Sequence, residues 1–357
     1  MFVALRDLRF AKGRFALMGT VVFLITLLVT MLSGLTAGLA QENISAIEDL
    51  RADHIVFSDS EKTSFSDSRI TEETWREWQK VAGVTAAERL GITMGRLTFG
   101  DDSAGAAVFG IQPGGELAKG VGGTVGTGTL LLSAALAEDS GLRPGSKVQL
   151  FGRDFVVGGI GADASYSHTP VAWISIGDWE WSGRQGSPDA VATVLALRTT
   201  GDPDLVTADK RLRTMTVTRG DAPAAISSFS SENGSLQLMR GFLFAISALV
   251  IGAFFTVWTI QRRGDVAVLK ALGAGTGYLL RDALAQAMMV LLLGAGTGGA
   301  VGAGLGALAE ESVPFVLSAA TVVVPVAVMI LLGATGAALA IRKITSVDPL
   351  TALGASR

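Results

Sequence analysis

The chain contains no cysteine in its 357 residues, which excludes disulfides and any thiolate metal site. A large domain lying outside the cytoplasm without disulfides fits a bacterial surface better than a eukaryotic secretory protein. Histidine is almost as scarce, with only His54 and His168. Each is expected as a solvated polar residue, His168 in a loop beside Tyr166 and Pro170. No Gly-Lys-Ser or Gly-Lys-Thr occurs, so no phosphate-cradling loop of that type is present. Nucleophile–base pairing and metal-ligand spacing are also missing from the sequence, and no catalysis is expected of the chain itself. Charged residues make up only 17%.

What is abundant is apolar sequence. Hydrophobic residues reach 49%, glycines number 45 and the mean hydropathy is +0.46. Four blocks, Leu17–Ala40, Gly241–Ile260, Tyr278–Leu308 and Val316–Ile341, match or exceed the run of about 20 apolar residues that crosses a bilayer. Their interiors are uncharged, with Arg281 and Asp282 near the start of the third. Only a helix satisfies every backbone polar group within one such segment. The glycines of the third block (Gly294, Gly296, Gly298, Gly299, Gly302, Gly304, Gly306) suit close helix approach.

The expected fold is an α-helical membrane protein of four transmembrane helices, with an α+β extracytoplasmic domain inserted between helices one and two. Residues 1–16 are assigned to a cytoplasmic amphipathic helix, 17–40 to the first span and 41–235 to the inserted domain. The second span takes 236–260, a cytoplasmic coupling segment 261–277 and the third span 278–308. A short outer turn (309–315), the fourth span (316–341) and a cytoplasmic tail (342–357) complete the chain. Basic residues set the orientation. Arg6, Arg9, Lys12 and Arg14 precede span one, Arg262, Arg263, Lys270 and Arg281 lie between spans two and three, and Arg342 and Lys343 follow span four. All three clusters fall on one side, placing both termini in the cytoplasm of a bacterial plasma membrane. The inserted region holds 26 acidic against 17 basic residues, consistent with the opposite side. A cleaved signal peptide ending at Gly38-Leu39-Ala40 is the alternative for span one, but its apolar run is about twice the usual 7–15-residue signal core.

Within the inserted region Ile44, Ile47 and Leu50 continue span one at helical spacing. Thr71–Trp78 has the pattern of a short capped helix. Arg96–Phe99 and Ala106–Ile111 read as strands, and Thr129–Ala137 as a helix or a strand–helix junction. Leu136–Ile160 reads as a helix end, a Pro144-Gly145 turn, a strand, a tight turn containing Gly152 and a second strand. The pattern suggests a mixed α+β domain with antiparallel strands rather than a nucleotide-binding sheet. Trp173, Trp179 and Trp181 are assigned to core packing or an aromatic patch, and Glu310 and Glu311 to a solvated turn.

The segment Gln261–Ala274 is short, basic and amphipathic, between two spans. It resembles the segment after the second span in permease subunits of MacB/FtsX-type ABC transporters. Leu136–Ile160 and Ile344–Leu353 resemble that family's outer-domain and C-terminal patterns, in the same order and topology. The segment departs from the family in having Gln261 in place of Glu, Asp265-Val266-Ala267 in place of Glu-Ile-Gly, and Lys270 in place of Arg. Within the family the whole chain is most similar to haem-exporting permeases.

The resemblance implies a permease homodimer in the lipid bilayer, driven by a separate ABC-type ATPase subunit that binds ATP, with no intrinsic cofactor and no nucleic-acid partner. Val266, Leu269, Leu272 and Gly273, with Arg262, Arg263 and Lys270, would form the helix that docks on the ATPase. The alternative is a basic helix riding on anionic lipid. Met1–Arg14 is open to the same two readings, and Asp348-Pro349-Leu350 either docks or simply stops a helix. For haem as transported ligand, the candidates are Met31, with Ser33, Gly34 and Gly38 leaving room for a flat ligand, then Glu42 and Met239. Core or lipid-facing packing is the commoner role for a methionine at either position, and a solvated helix end is the alternative for Glu42. The competing functions are a mechanical transmitter acting on a cell-wall hydrolase or sensor, and an extruder of antimicrobial peptides or lipoproteins.

Overall fold

The computed structural model describes residues 12–183, 188–261, 264, 268–270, 272–310 and 313–345. The chain divides into two compact units, Leu39–Gly234 and the remainder, Met1–Gly38 with Ser235–Arg357. Helix α1, Lys12–Glu48, crosses the first apolar block without proline or charge and continues past it. Its last turns bury Ile44 and Ile47 in the core of the inserted unit, each worth roughly 1.5–3 kcal/mol relative to exposure. The guanidinium of Arg219 donates to the carbonyls of Glu48 and Leu50, a cation satisfying the orphan carbonyls of a helix end.

The inserted unit is built on a ten-stranded mixed sheet. Its strands are β1 (His54–Ser58), β3 (Val84–Phe99), β4 (Asp102–Ile111), β5 (Thr129–Leu132), β6 (Lys147–Leu150), β7 (Arg153–Ile160), β8 (Ser165–Tyr166), β9 (Thr169–Ser175), β11 (Val194–Thr199) and β12 (Thr214–Thr218). Strands β2 (Ile70–Thr71) and β10 (Ala190–Ala192) form a separate pair. The order is β12-β1-β11-β3-β4-β9-β5-β7-β6, and a further β6–β3 pairing closes β3, β4, β9, β5, β7 and β6 into a ring. Inside it pack Leu97, Val108, Leu130, Leu150, Phe155, Ile174 and Trp179. The expectation of antiparallel strands fails at two places. β4 pairs with β9, and β5 with β7, in parallel, because these partners come together by crossover and not by hairpin.

Local expectations are met where a cap or turn residue marks them. Thr71 caps α2 (Glu72–Trp78) by accepting from the Thr74 amide. Thr129–Ala137 resolves into β5, an N-cap at Ser133, and α4 (Ala134–Ser140), after the short α3 (Glu116–Gly120). Gly141 ends α4 with φ 67°, and Gly152 turns the β6–β7 hairpin with φ 77°, values glycine adopts freely. Trp173 and Trp179 are buried. Trp179 belongs to α5 (Ile176–Gly183) and lies over Gly91 and Gly110, which are cross-strand partners in β3 and β4. Trp181 is 54% exposed, with the Arg153 guanidinium 3.1 Å from its ring centroid. Helix α6 (Leu205–Leu212) precedes β12.

Three more apolar helices follow: α7 (Ser227–Gln261), α8 (Thr276–Ala309) and α9 (Ala319–Thr345). With α1, four helices among the described residues are long and apolar enough to cross a membrane. α7 begins nine residues ahead of the expected second span, directly after the 3-10 turn Ala222–Ala225. α9 begins at Ala319, three residues beyond the expected start of the fourth span. Pro314 and the reciprocal Ser318–Thr321 hydrogen bonds delay its first turn. Phe15, Val22, Val29, Ile251, Phe255, Leu291 and Met329 form the core of this unit. Gly294, Gly298 and Gly302 of α8 serve close packing as expected, facing Gly19, Phe23 and Thr30 of α1, whereas a side chain at Gly296 or Gly304 would meet nothing within 4 Å. Met1–Ala11, and with it the expected N-terminal amphipathic helix up to that point, lies outside the described residues, as does the tail 346–357.

Candidate functional site

The segment between α7 and α8 carries the exposed apolar side chains expected of a docking element. Val268, Leu269 and Lys270 are helical. The chain then turns at Gly273, whose φ is 93°. The Gly273 amide donates to the Lys270 carbonyl and the Ala274 amide to the Leu269 carbonyl, both at 3.0 Å. This pair of bonds, closed by a left-handed glycine, is a Schellman stop. It leaves Leu272 80% and Val268 55% exposed, with Leu269 at 37%. Arg262, Arg263 and Val266 lie outside the described residues.

The expected ligand face of α1 is altered by a neighbour. Gly34 and Gly38 do not leave room for a flat ligand. The Phe315 ring lies against Gly34, and the Pro314 backbone against Gly38, so close that a methyl group would not fit at either position. The Val316 amide donates to the Gly34 carbonyl at 3.1 Å, which fixes this plug. The sequence hid the plug because Pro314 and Phe315 lie some 280 residues from the glycines. Ser33 is buried, its hydroxyl without a hydrogen-bond partner among the described residues, Met31 is half-buried and Met239 is 50% exposed.

Glu42 belongs to a polar cluster that the sequence did not foretell. Its carboxylate lies 3.7 Å from Nδ1 of His168, and the other ring nitrogen is 2.8 Å from the Glu232 carboxylate. The Asn43 amide donates to Glu232 at 3.2 Å and lies 3.1 Å from His168 Nε2. The Ser228 hydroxyl donates to Asn43 Oδ1 at 2.9 Å. His168 is thus a turn residue held between two carboxylates, its side chain 32% exposed. Below it Tyr166 packs edge-on against Phe65 and Phe109, and burial pushes its phenol well above the usual range. Among the described residues no three His, Asp or Glu side chains are grouped to hold a metal ion.

Residues 238–349 match the FtsX-like permease C-terminal family. Over 99% of both chains, the protein is 26% identical to a protein of Staphylococcus epidermidis named as hemin transport system permease HrtB. It is 27% identical to the protein of the same name from Staphylococcus haemolyticus, again over 99% of each. Among solved structures, the extracellular domain of the noncanonic ABC-type transporter YknZ from Gram-positive bacteria aligns with 47% of this chain and 100% of its own, at 14% identity and a TM-score of 0.36. Residues 238–349, which run across the last three apolar helices, thus carry an FtsX-like permease domain, and over its full length the chain is similar to proteins named as permeases of hemin transport and ABC transporter systems.

Proposed function

We propose that this chain is the membrane-spanning subunit of an ATP-driven efflux pump. Two copies join two ATPase subunits and expel haem, or an amphipath of similar shape, from the outer leaflet. The observation that carries the coupling step is the exposed apolar set Val268, Leu269 and Leu272 beside Lys270, held by the glycine stop at Gly273. Apolar anchors at helical spacing fit a groove on a partner protein, and the chain supplies no phosphate-binding loop of its own. In this reading the basic clusters face the cytoplasm, and the inserted domain stands outside the plasma membrane.

Haem as cargo rests on the full-length likeness to the proteins named as hemin permeases. With Gly34 and Gly38 plugged, contact with haem falls to Met31, Met239 and Glu42, which present a thioether or a carboxylate to iron. The test is the absorption spectrum of protein purified from haem-supplied cells. A Soret band that shifts in Met31→Ala or Glu42→Ala supports the reading. Absence of haem, together with ATPase activity indifferent to haem, would sink it. Deletion of the gene separates the alternatives: haem sensitivity marks an exporter, a division or wall defect a mechanical transmitter.

A further inference from the structure

The turn joining β8 to β9 is made of residues that such a turn does not favour. Ser167 and His168 have φ of 53° and 58°, the left-handed values that a two-residue hairpin turn usually assigns to Asn and Gly. Other residues keep this conformation only where surrounding contacts over-determine it. Here the contacts come from two helices. The amides of Ser167 and His168 donate to the carbonyls of Asn43 and Glu42 in α1, at 2.9 and 3.2 Å. From α7, the Ser228 hydroxyl meets the Ser167 hydroxyl at 2.8 Å, and Glu232 takes the His168 ring.

This seam differs in kind from the contacts around it. Ile44 and Ile47, one turn along α1, are buried in an apolar core. The turn meets both helices through hydrogen bonds and polar side chains, and the side chains of His168, Glu42 and Glu232 remain 32%, 47% and 46% exposed. Glu42 from α1 and Glu232 from α7 are the charged groups that the cluster sets against the ring. Half-solvated polar contacts part at small cost because water replaces the lost partner, whereas separating an apolar core does not have that replacement.

We infer that the Ser167–His168 turn is a releasable latch joining the outer end of α1 to the first turns of α7, and that it opens during each ATP-driven cycle. The inference rests on the reading of the chain as an ATP-driven permease. Release relieves the left-handed backbone of two non-glycine residues, and re-formation of the polar cluster of Glu42, Asn43, His168, Ser228 and Glu232 resets it. The latch is therefore a two-state element of the kind that cycling machines require.

The test uses the full chain with its ATPase in membranes. Ser167→Cys with Ser228→Cys places two thiols where the hydroxyl oxygens are 2.8 Å apart, within reach of a disulfide, in a chain with no other cysteine. The reduced protein is expected to retain ATP-driven activity, the oxidised protein to lose most of it, and dithiothreitol to restore it. Equal activity in both states overturns the latch, as does failure of the thiols to join. Amide exchange of Ser167 and His168 in the unmodified complex gives an independent reading: protection falls under turnover if the latch opens, and unchanged protection overturns it. A wild-type chain that responds to no ATPase would sink the functional reading and the latch together, a result distinct from a responsive chain indifferent to the cross-link.

Discussion

Gly298 of α8 lies so close to Phe23 of α1 that a Cβ on the glycine would sit 2.5 Å from the Phe23 carbonyl oxygen and 3.1 Å from the Thr26 Cβ. The obstructing atom is backbone and has no rotamer to escape into. Gly298→Ala is expected to destabilise the four-helix unit by about 1–3 kcal/mol, the usual cost of overpacking. Gly296→Ala, where nothing lies within 4 Å, serves as the control and leaves the melting temperature in detergent unchanged. Equal melting of the two variants would contradict the close approach.

Two neighbouring tryptophans should respond in opposite ways. Trp179 is 1% exposed and its indole nitrogen donates to Thr93 at 3.0 Å, so Trp179→Ala is expected to cost about 3–5 kcal/mol. Trp181, on the surface with Arg153, should cost no more than about 1 kcal/mol when replaced by alanine. Urea unfolding followed by circular dichroism separates the two.

The glycine stop in the coupling segment makes a separable pair of predictions. Leu272→Glu puts a charge on a side chain already 80% exposed, so thermal stability should hold while co-purification with the ATPase is lost. Gly273→Ala must carry a Cβ at φ 93°, at a cost of roughly 1–2 kcal/mol. Its effect should be a smaller loss of ATPase coupling, because the turn shifts rather than the anchor vanishing. Retention of full binding by Leu272→Glu would remove this surface from the interface.

Tyr166 supplies a pH dependence with a defined sign. Its phenol is held neutral by burial, so the folded state keeps a proton that the unfolded chain gives up above about pH 10. A raised acid pKa in the folded state stabilises below the unfolded value, and that stability drains away as pH rises beyond it. Tyr166→Phe, which keeps the edge-on packing with Phe65 and Phe109, should therefore flatten the alkaline fall in stability while changing little at neutral pH. A wild-type and variant that decline together above pH 10 would show that another group governs the loss.

The spans were legible because apolar runs of that length have few alternatives, and the Leu136–Ile160 unit because Gly141, Gly145 and Gly152 mark its turns. The parallel pairs were not, since Ala107 meets Val171 and Thr129 meets Val156 through pairings that no local pattern encodes. The β8–β9 turn was hidden for a different reason: Ser167 and His168 are not the pair that a left-handed two-residue hairpin turn favours, and contacts from α1 and α7 hold them there. Glu42 could be singled out as a charge near a helix end, but its partner His168 is 126 residues away. The plug over Gly34 and Gly38 depends on Pro314 and Phe315, which composition alone gives no reason to bring there.

The ring of six strands has a consequence for how the domain is made. β9 lies between β4 and β5, so the circuit cannot shut until Ser175 has emerged. Up to that moment both neighbours carry a bare edge, open to pairing with whatever strand is near. A ribosome stalled or a chain clipped before Ser175 would leave an edge-exposed fragment, and delivery of this stretch sets the interval during which the nascent domain is most prone to aggregate.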